Sequence, residues 1–458
     1  MMPSFDPQHV AYWTGGSWLD EPKVAIEGFC FDARQIKPGQ CFVALSSGAR
    51  DGHEFIEQAA KGGAVAAIVE TSKPIALPQL KVGDSLVALG AIGNAVRSTF
   101  SKPVVGITGS CGKTSTKDML RCLLGEERTH ATAGNWNNRI GVPMTLFGLD
   151  SSSHDFAVIE AGINQPDEMR QLGQMIQADL VVLTNIEAAH LELLGSLEGI
   201  ATEKSFLAEH AKPDSPIILP VDALRYHAYR KLAHRAIVLL PKGAPAPDLP
   251  CKQIVRYEIS EQMENRSTIQ PLQVYQRVTI DSRNYPITSS SIGIATNTAL
   301  AIVAAKYLGM LESEILERIE SWRPSGNRGC IETFGKQTFY IDCYNANPSS
   351  MADALDAFDR STPQGIARFY ILGVMDELGT IALAQHEAIG RLLKLRPEDR
   401  VAFVGSNDLT EAYASAISTE QYIRADCVEK IKSTITQFQG AIFLKGSRTY
   451  SLEKLLPS

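Results

Sequence analysis

Short apolar runs recur along the chain, each bounded by polar or glycine-bearing residues. PVVGIT (103–108), FAVIEAG (156–162), ADLVVLTN (178–185), RFYILGV (368–374) and AIFLKGS (441–447) each predict a strand buried on both faces. Each is expected to lead into a helix, so the chain reads as βαβ units with parallel sheets. Two shorter runs, QCFVAL and AVAAIV, predict strands within the first hundred residues. The fold class expected is α/β.

Three regions separate on this pattern: 1–100, 101–324 and 325–458. The segment WRPSGNRG (322–329), with one proline and two glycines, reads as a hinge or linker. KGAPAPDLP (242–250) is a proline-rich loop, too short to divide a domain. At roughly 150 residues per domain, 458 residues also suggest about three.

Charge narrows the range of partners. Lys and Arg total 44 against 51 Asp and Glu, a net charge of −7. A chain of that balance is a poor polyanion binder, so no nucleic-acid partner is expected. A local basic pocket for one small anion is still allowed. Hydrophobic residues make up 44% and charged residues 21%, the composition of a folded globular protein. No run approaches the roughly 18 apolar residues of a spanning helix, so no membrane partner is expected. MMPSFDPQHV has no basic segment followed by an apolar run, and a cytoplasmic location is expected. Eight scattered cysteines without a C-x-x-C pair read as reduced thiols, neither a disulfide framework nor a zinc site.

The strongest chemical signal is PVVGITGSCGKTST (103–116). A strand leads into Gly106, Gly109 and Gly112, and Lys113 and Thr114 then open a helix. Polyphosphate is cradled by backbone N–H groups and a helix N-terminus, and glycine is needed where a Cβ would block that approach. Gly109, Ser110, Gly112, Lys113, Thr114 and Ser115 are therefore expected at the phosphates. Lys113 would reach the β/γ-phosphates and the Thr114 hydroxyl would bind Mg²⁺. The usual G-x-x-x-x-G-K-[ST] spacing wants glycine where Ile107 stands, so this reads as a variant loop built on Gly106 and Gly109.

Three further residues stand near predicted strand ends. Glu160 closes the run FAVIE, where an open α/β sheet forms its ligand crevice and a carboxylate can bind Mg²⁺. His190 follows ADLVVLTN by a few residues, and Lys204 lies in ATEKSF. On spacing alone, a lone Glu, His or helical Lys is as often or more often solvated or structural. DCYNANPSS (342–350) follows the strand-like QTFYI. Its Asn, Asp and Pro favour turns, although two Asn, a Tyr and an Asp exceed what a turn needs.

Taken together, TGSCGKTS (108–115), TAGNWNNRIGVPMTL (132–146), VIEAGINQPDEM (158–169), AAHLELLGS (188–196), DCYNANPSSM (342–351), DELG (376–379) and LKGSR (444–448) resemble the Mur ligases. These are ATP-dependent amide-forming enzymes of peptidoglycan precursor synthesis. The resemblance is strongest to the branch that adds D-alanyl-D-alanine, and FDARQIKPGQCFVALSSGARDGHEF (31–55) is similar to that branch's first domain. The resemblance implies three domains: a smaller α/β N-terminal domain for the UDP-linked acceptor, a central P-loop-type parallel-sheet ATPase domain, and a Rossmann-like α/β C-terminal domain. It implies ligation of D-alanyl-D-alanine to UDP-N-acetylmuramoyl-tripeptide through an acyl phosphate, by a monomer.

The resemblance also implies roles for individual residues. Glu160, His190 and a carbamylated Lys204 would hold one Mg²⁺, and Thr114 a second. Asn297, Arg328, Asp342 and Asn345 would join the ATP site. Asp32, Arg34, Asp51, Gly52 and His53 match acceptor-side motifs. Asn135, Asn137, Asn138, Asn347, Lys445 and Arg448 would face the substrates, with Ser447 in the same C-terminal motif.

The chain departs from the family pattern at three places. Val374 stands where Asp is common, Gly293 and Ile294 replace a His-Asn pair, and Cys111 sits in the phosphate loop, where its oxidation would block the site. The rival readings are a ligase of this type with another amino acid or acceptor, a folate-polyglutamate synthase, and a non-catalytic nucleotide-binding relative.

Overall fold

The computed structural model describes residues 4–48, 50–188, 191–262, 272, 274–417 and 422–457. The chain forms two compact units, one of residues 1–108, 125–181 and 203–215, the other of residues 109–124, 182–202 and 216–458. Both are α/β.

In the first unit a five-stranded sheet runs Ser17–Trp18, Gln79–Lys81, Ala66–Val69, Cys41–Val43, Phe29–Cys30. Only the pairing at the Ser17–Trp18 edge is antiparallel. The runs QCFVAL and AVAAIV supply two of its inner strands. Asp84 caps the helix Ser85–Thr99, accepting from the Leu86 and Val87 N–H groups. The same unit pairs Phe156–Glu160 in parallel with both Thr129–Ala131 and Val104–Thr108. Every residue of Val104–Thr108 and Phe156–Glu160 is buried, as continuous apolar runs require.

Arg97, in the last turn of Ser85–Thr99, is 2% exposed. Its guanidinium donates to the carbonyls of Ile176 (2.8 Å), Gln177 (2.9 Å) and Phe100 (3.1 Å) and to Asp179 Oδ2 (2.8 Å). Burial lowers its pKa and Asp179 opposes that shift. Arg97→Ala takes this donor from three carbonyls, while Asp179 keeps Lys212 (2.7 Å) and the Val104 N–H (2.9 Å), and about 3–5 kcal/mol of stability is expected to go. Urea unfolding is the check, and a midpoint equal to wild type would refute it.

In the second unit Ile217–Pro220, Ala236–Pro241 and Gln253–Gln262 pair in parallel. An antiparallel meander, Tyr275–Ile280 and Arg283–Thr288, then extends them. The sheet is rich in parallel pairs, as expected, and the meander is an antiparallel addition at one edge. In the meander only alternate residues are buried: Gln276, Val278 and Ile280, then Tyr285 and Ile287. Asp281 and Ser282 turn it with φ of 49° and 64°, the positive values that a two-residue hairpin demands.

The six-stranded sheet of this unit runs Cys330–Phe334, Gln337–Ile341, Gly440–Lys445, Arg368–Gly373, Arg400–Val404, Tyr422–Ala425. It is parallel except for its first hairpin. Tyr370 and Leu372 enter one core, Phe369 and Ile371 the other, so both faces are covered. WRPSGNRG is irregular between a helix ending at Ser321 and a strand starting at Cys330. The helix expected after AIFLKGS does not form. Two short 3₁₀ turns, Arg448–Tyr450 and Leu452–Leu455, take its place because Ser451 between them is left-handed at φ 48°.

Candidate active site

The helix Lys113–Leu124 starts on the residue the motif requires, and Thr114 on its first turn is 6% exposed. Gly106 is not part of the loop, which corrects the reading of the variant spacing. It lies inside Val104–Thr108, where a Cβ would stand 3.2 Å from Ala178 Cβ and 3.3 Å from Leu207 Cδ2. Its absent side chain serves close helix-on-sheet packing. The loop proper is 109–112. A Cβ on Gly109 (φ +150°) would fall 1.8 Å from Thr184 Oγ1, and one on Gly112 (φ +78°) 2.4 Å from Asn297 Nδ2. Lys113 Nζ folds over the loop and donates to the carbonyls of Gly109 (2.8 Å) and Ser110 (3.2 Å). Ser115 is half-buried on the same turn.

Residues 184–187 pack against this loop, and sequence reasoning missed them. Thr184 Oγ1 donates to the Cys111 carbonyl (2.5 Å). Asn185 Oδ1 accepts from the N–H groups of Ser110 (3.1 Å) and Cys111 (3.0 Å). Ser110 Oγ donates to the Glu187 carbonyl and accepts from its N–H, both at 2.9 Å. The only signal available was the polar pair TN closing an apolar strand. Burial pushes the Cys111 thiol up, away from the thiolate that oxidants attack.

In the first unit Glu160 is 1% exposed at the end of its strand. Asn137 Nδ2 donates to Glu160 Oε1 (2.7 Å), and the Glu160 N–H donates to Thr132 Oγ1 (2.9 Å). The structure therefore joins the TAGNWNN segment to the strand-end acid. Gly162 completes the junction: its N–H donates to the Asn137 carbonyl, and a Cβ there would meet Asn137 Cγ at 2.9 Å. Asn138 Oδ1 accepts from the N–H groups of Ile140 and Gly141 at the start of Gly141–Leu146. Asn135 is exposed. Lys204, on the helix Leu197–Glu209, is 1% exposed. Its neighbour Glu203 takes the Asp167 and Met169 N–H groups at the start of Glu168–Ile176. His190 lies outside the described residues. Among the described residues no three His, Cys, Asp or Glu side chains gather as a metal-binding group.

Two acceptor-side motifs are also local structures. Arg34 makes a bidentate pair with Asp32 (2.9 and 2.7 Å), which holds that exposed carboxyl down to about 2. Asp51 accepts from His53 Nδ1 (2.6 Å) and from the His53 N–H (3.0 Å), while His53 Nε2 accepts from the Glu70 N–H (2.9 Å). A Cβ on Gly52 would strike the Leu45 carbonyl at 2.5 Å.

The second unit collects the C-terminal motifs. Lys445, 1% exposed, donates to Asp342 Oδ2 (2.6 Å) and to the Asn345 carbonyl (3.3 Å). Asn347 caps the helix Pro348–Ser361 in a capping box with Ser350, so part of the polar density of DCYNANPSS is helix chemistry. The Arg328 guanidinium lies 3.6 Å above the Tyr344 ring, and that of Arg448 lies 6.0 Å from the same ring. Arg448 also pairs with Glu453. Ser447 Oγ accepts from the Asp376 N–H (2.9 Å).

The departures have physical reasons. Val374 is fully buried, and its methyls stand 2.6–2.8 Å from where a Gly405 Cβ would lie, so an Asp here would be desolvated. At the head of the helix Ile292–Tyr307, Asp353 Oδ1 accepts from the Ile292 and Gly293 N–H groups (3.0 and 3.1 Å), and Ser291 Oγ donates to its Oδ2 (2.6 Å). A Cβ on Gly293 would press to 3.1 Å from that oxygen, so a side chain here would crowd the carboxylate. Burial raises Asp353 while these donors lower it.

His386, wholly buried, supports the DELG turn. Its Nε2 accepts from the Met375 N–H (2.9 Å), and its Nδ1 is left to donate to the Ala382 carbonyl (2.6 Å), an assignment that requires a neutral ring. Burial lowers its pKa from 6.5. The sign follows: the unfolded state takes the proton first, so this contribution is whole above pH 6.5 and is lost as pH falls through the lowered folded value. Melting temperatures between about pH 7.5 and 5 should fall more steeply for wild type than for His386→Gln. Parallel curves would contradict the assignment.

Residues 107–305 match the Mur ligase middle domain, and residues 330–448 match the Mur ligase, glutamate ligase domain. The UDP-N-acetylmuramoyl-tripeptide–D-alanyl-D-alanine ligase of Escherichia coli (strain K12) is 30% identical over 446 residues, spanning 96% of this chain and 94% of that protein. The protein of the same name from Treponema pallidum (strain Nichols) is 28% identical over 451 residues, spanning 94% and 93%. A crystal structure of MurF from Acinetobacter baumannii superposes with a TM-score of 0.84 at 26% identity, covering 99% of this chain and 98% of that one.

Proposed function

The chain belongs to the Mur ligase family, and from that premise we propose that it joins D-alanyl-D-alanine to UDP-N-acetylmuramoyl-tripeptide at the expense of ATP. The observation that carries this reading is the 30% identity to the Escherichia coli enzyme across 96% of the chain. The product is the pentapeptide, with ADP and phosphate released.

A carboxylate oxygen is a poor leaving group, so amide formation needs an activated acyl carbon. The terminal carboxylate of the tripeptide attacks the γ-phosphorus and ADP departs. The amine of D-alanyl-D-alanine then attacks the acyl phosphate, phosphate leaves, and the amine gives up its proton. The first step is catalysed by positioning and charge neutralisation. The loop 109–112, with Ser115, cradles the phosphates, and Lys113 Nζ moves from the Gly109 and Ser110 carbonyls to the transferring oxygens. Glu160, buried and oriented by Asn137, is a hard oxygen donor of the kind Mg²⁺ takes. Bound Mg²⁺ supplies further charge neutralisation at the phosphates and the acceptor carboxylate. Thr114, Glu160, His190 and Lys204 as its carbamate are the residues we assign to hold two such ions. Carbamylation turns a buried cation that cannot ligate into an anionic oxygen donor.

Arg328, Asn297, Asp342 and Asn345 are assigned to ATP. Asp32, Arg34, Asp51, Gly52 and His53 are assigned to the UDP-linked acceptor, and Asn135, Asn137, Asn138, Asn347, Lys445 and Arg448 face the substrates. With these assignments go divisions near 100 and 325 and a cytoplasmic monomer. No helix among the described residues is long and apolar enough to cross a membrane.

The test is phosphate release by the purified chain with ATP and UDP-N-acetylmuramoyl-tripeptide, with and without D-alanyl-D-alanine. Turnover with that dipeptide and not with single amino acids is expected. Turnover with another amine alone would move the chain to a different branch, and nucleotide binding without turnover would make it a non-catalytic relative.

A further inference from the structure

The glycine loop is tied both by Lys113 and by residues outside it. Gly109 and Gly112 have φ of +150° and +78°, in the range where glycine is least restrained, and a helix start receives an anion well only if the loop leading into it is already set. Three of the loop's polar groups are tied down by Asn185, 74 and 75 residues further along the chain. Its Oδ1 accepts from the Ser110 N–H (3.1 Å) and the Cys111 N–H (3.0 Å), and its Nδ2 donates to Cys111 Sγ (2.8 Å). The Asn185 carbonyl shares the Ser110 N–H at 3.1 Å, and Thr184 Oγ1 takes the other side of Cys111 through its carbonyl.

We propose that Asn185 is a positioning residue for ATP, its carboxamide setting the path of the loop from Gly109 to Lys113 so that the helix start and the lysine are delivered ready for the phosphates. The inference rests on the ATP-dependent reading above and adds a residue outside the glycine motif. The carboxamide suits the task for a definite reason. It presents an acceptor to two amides and a donor to sulfur while carrying no charge. A carboxylate at the same position would still accept from both amides, but it would lose the donor and place an anion beside a polyanion site.

The experiment uses the full chain, with ATP varied at saturating UDP-N-acetylmuramoyl-tripeptide and D-alanyl-D-alanine, and then D-alanyl-D-alanine varied at saturating ATP. Asn185→Ala is expected to raise KM for ATP about tenfold, the effect of losing three side-chain hydrogen bonds while the Asn185 carbonyl keeps the Ser110 N–H, with KM for D-alanyl-D-alanine within about twofold. Asn185→Asp, nearly isosteric, is expected to raise it further at low salt, and its excess over Asn185→Ala should shrink as ionic strength rises from about 0.02 to 0.5 M. That salt-dependent excess is a signature a merely structural tie would not produce. Should Asn185→Ala fail to fold, Asn185→Asp alone carries the test. ATP KM within twofold of wild type in the variants that fold, a lowered melting temperature with KM unchanged, or equal rises for both substrates would each overturn the proposal. Absence of turnover by the wild-type chain would count against the ligase reading instead.

Discussion

Lys113→Ala is expected to abolish ATP-dependent phosphate release, lowering kcat/KM for ATP by about a thousandfold or more. Phosphoryl transfer spreads negative charge over the γ-oxygens, and little covalent help is available from the protein. Lys113 Nζ lies 2.8 Å from the Gly109 carbonyl and 3.2 Å from that of Ser110, so the ammonium already spans the loop. A phosphate oxygen is a stronger, charge-assisted acceptor than either of these carbonyls. The same contacts mean that the alanine variant loosens the loop slightly, so melting temperature is measured beside activity. Loss of turnover with a near-native melting temperature assigns the effect to charge. Near-normal turnover would sink the phosphate-loop reading.

Lys204→Ala should be equally inactive, and here rescue is the informative part. Lys204, 1% exposed on the helix Leu197–Glu209, is held out of bulk water. Its neutral amine can add CO₂, releasing a proton and leaving an N-carboxylate that a divalent cation stabilises. Truncation to alanine removes that carboxylate and leaves space for a small one. Acetate or formate is expected to restore part of the rate to Lys204→Ala and none to Lys113→Ala. A ¹³C signal from labelled CO₂ in the wild type, absent from the variant, checks the carbamate directly. A fully active Lys204→Ala enzyme would end the carbamate idea.

The two lysines differ in how legible they were. Lys113 is announced by its neighbours, because strand, glycines, lysine and helix must follow in order for any chain to build that cradle. Lys204 looks like an ordinary helical lysine, and only its burial sets it apart from a solvated one. The asparagines divide in the same way. Asn347 and Asn138 serve backbone caps within three residues, a use that composition suggests. Asn137 acts on Glu160 across 23 residues and Asn185 on the loop across 75, and no local pattern marks either. Val374 and Gly293 stood out in the sequence as departures from a pattern. Their reasons, a buried contact with Gly405 and a carboxylate from Asp353, became visible only in the fold.

The sequence by itself determined the α/β class, the buried parallel strands and the helix that opens at Lys113. Those features depend on runs of contiguous residues: apolar stretches that fill both faces of a sheet, and glycines where a backbone must turn. Tertiary structure alone decided that Gly106 serves helix packing while Gly109 and Gly112 form the loop, that an antiparallel meander extends one sheet, and that Asn185 holds the phosphate loop from a distant strand end. The glycine and Asn185 choices rest on close approaches between residues dozens of positions apart, which come within reach of each other only once the sheet has brought its strand ends together; the meander is a local hairpin that only its pairing reveals.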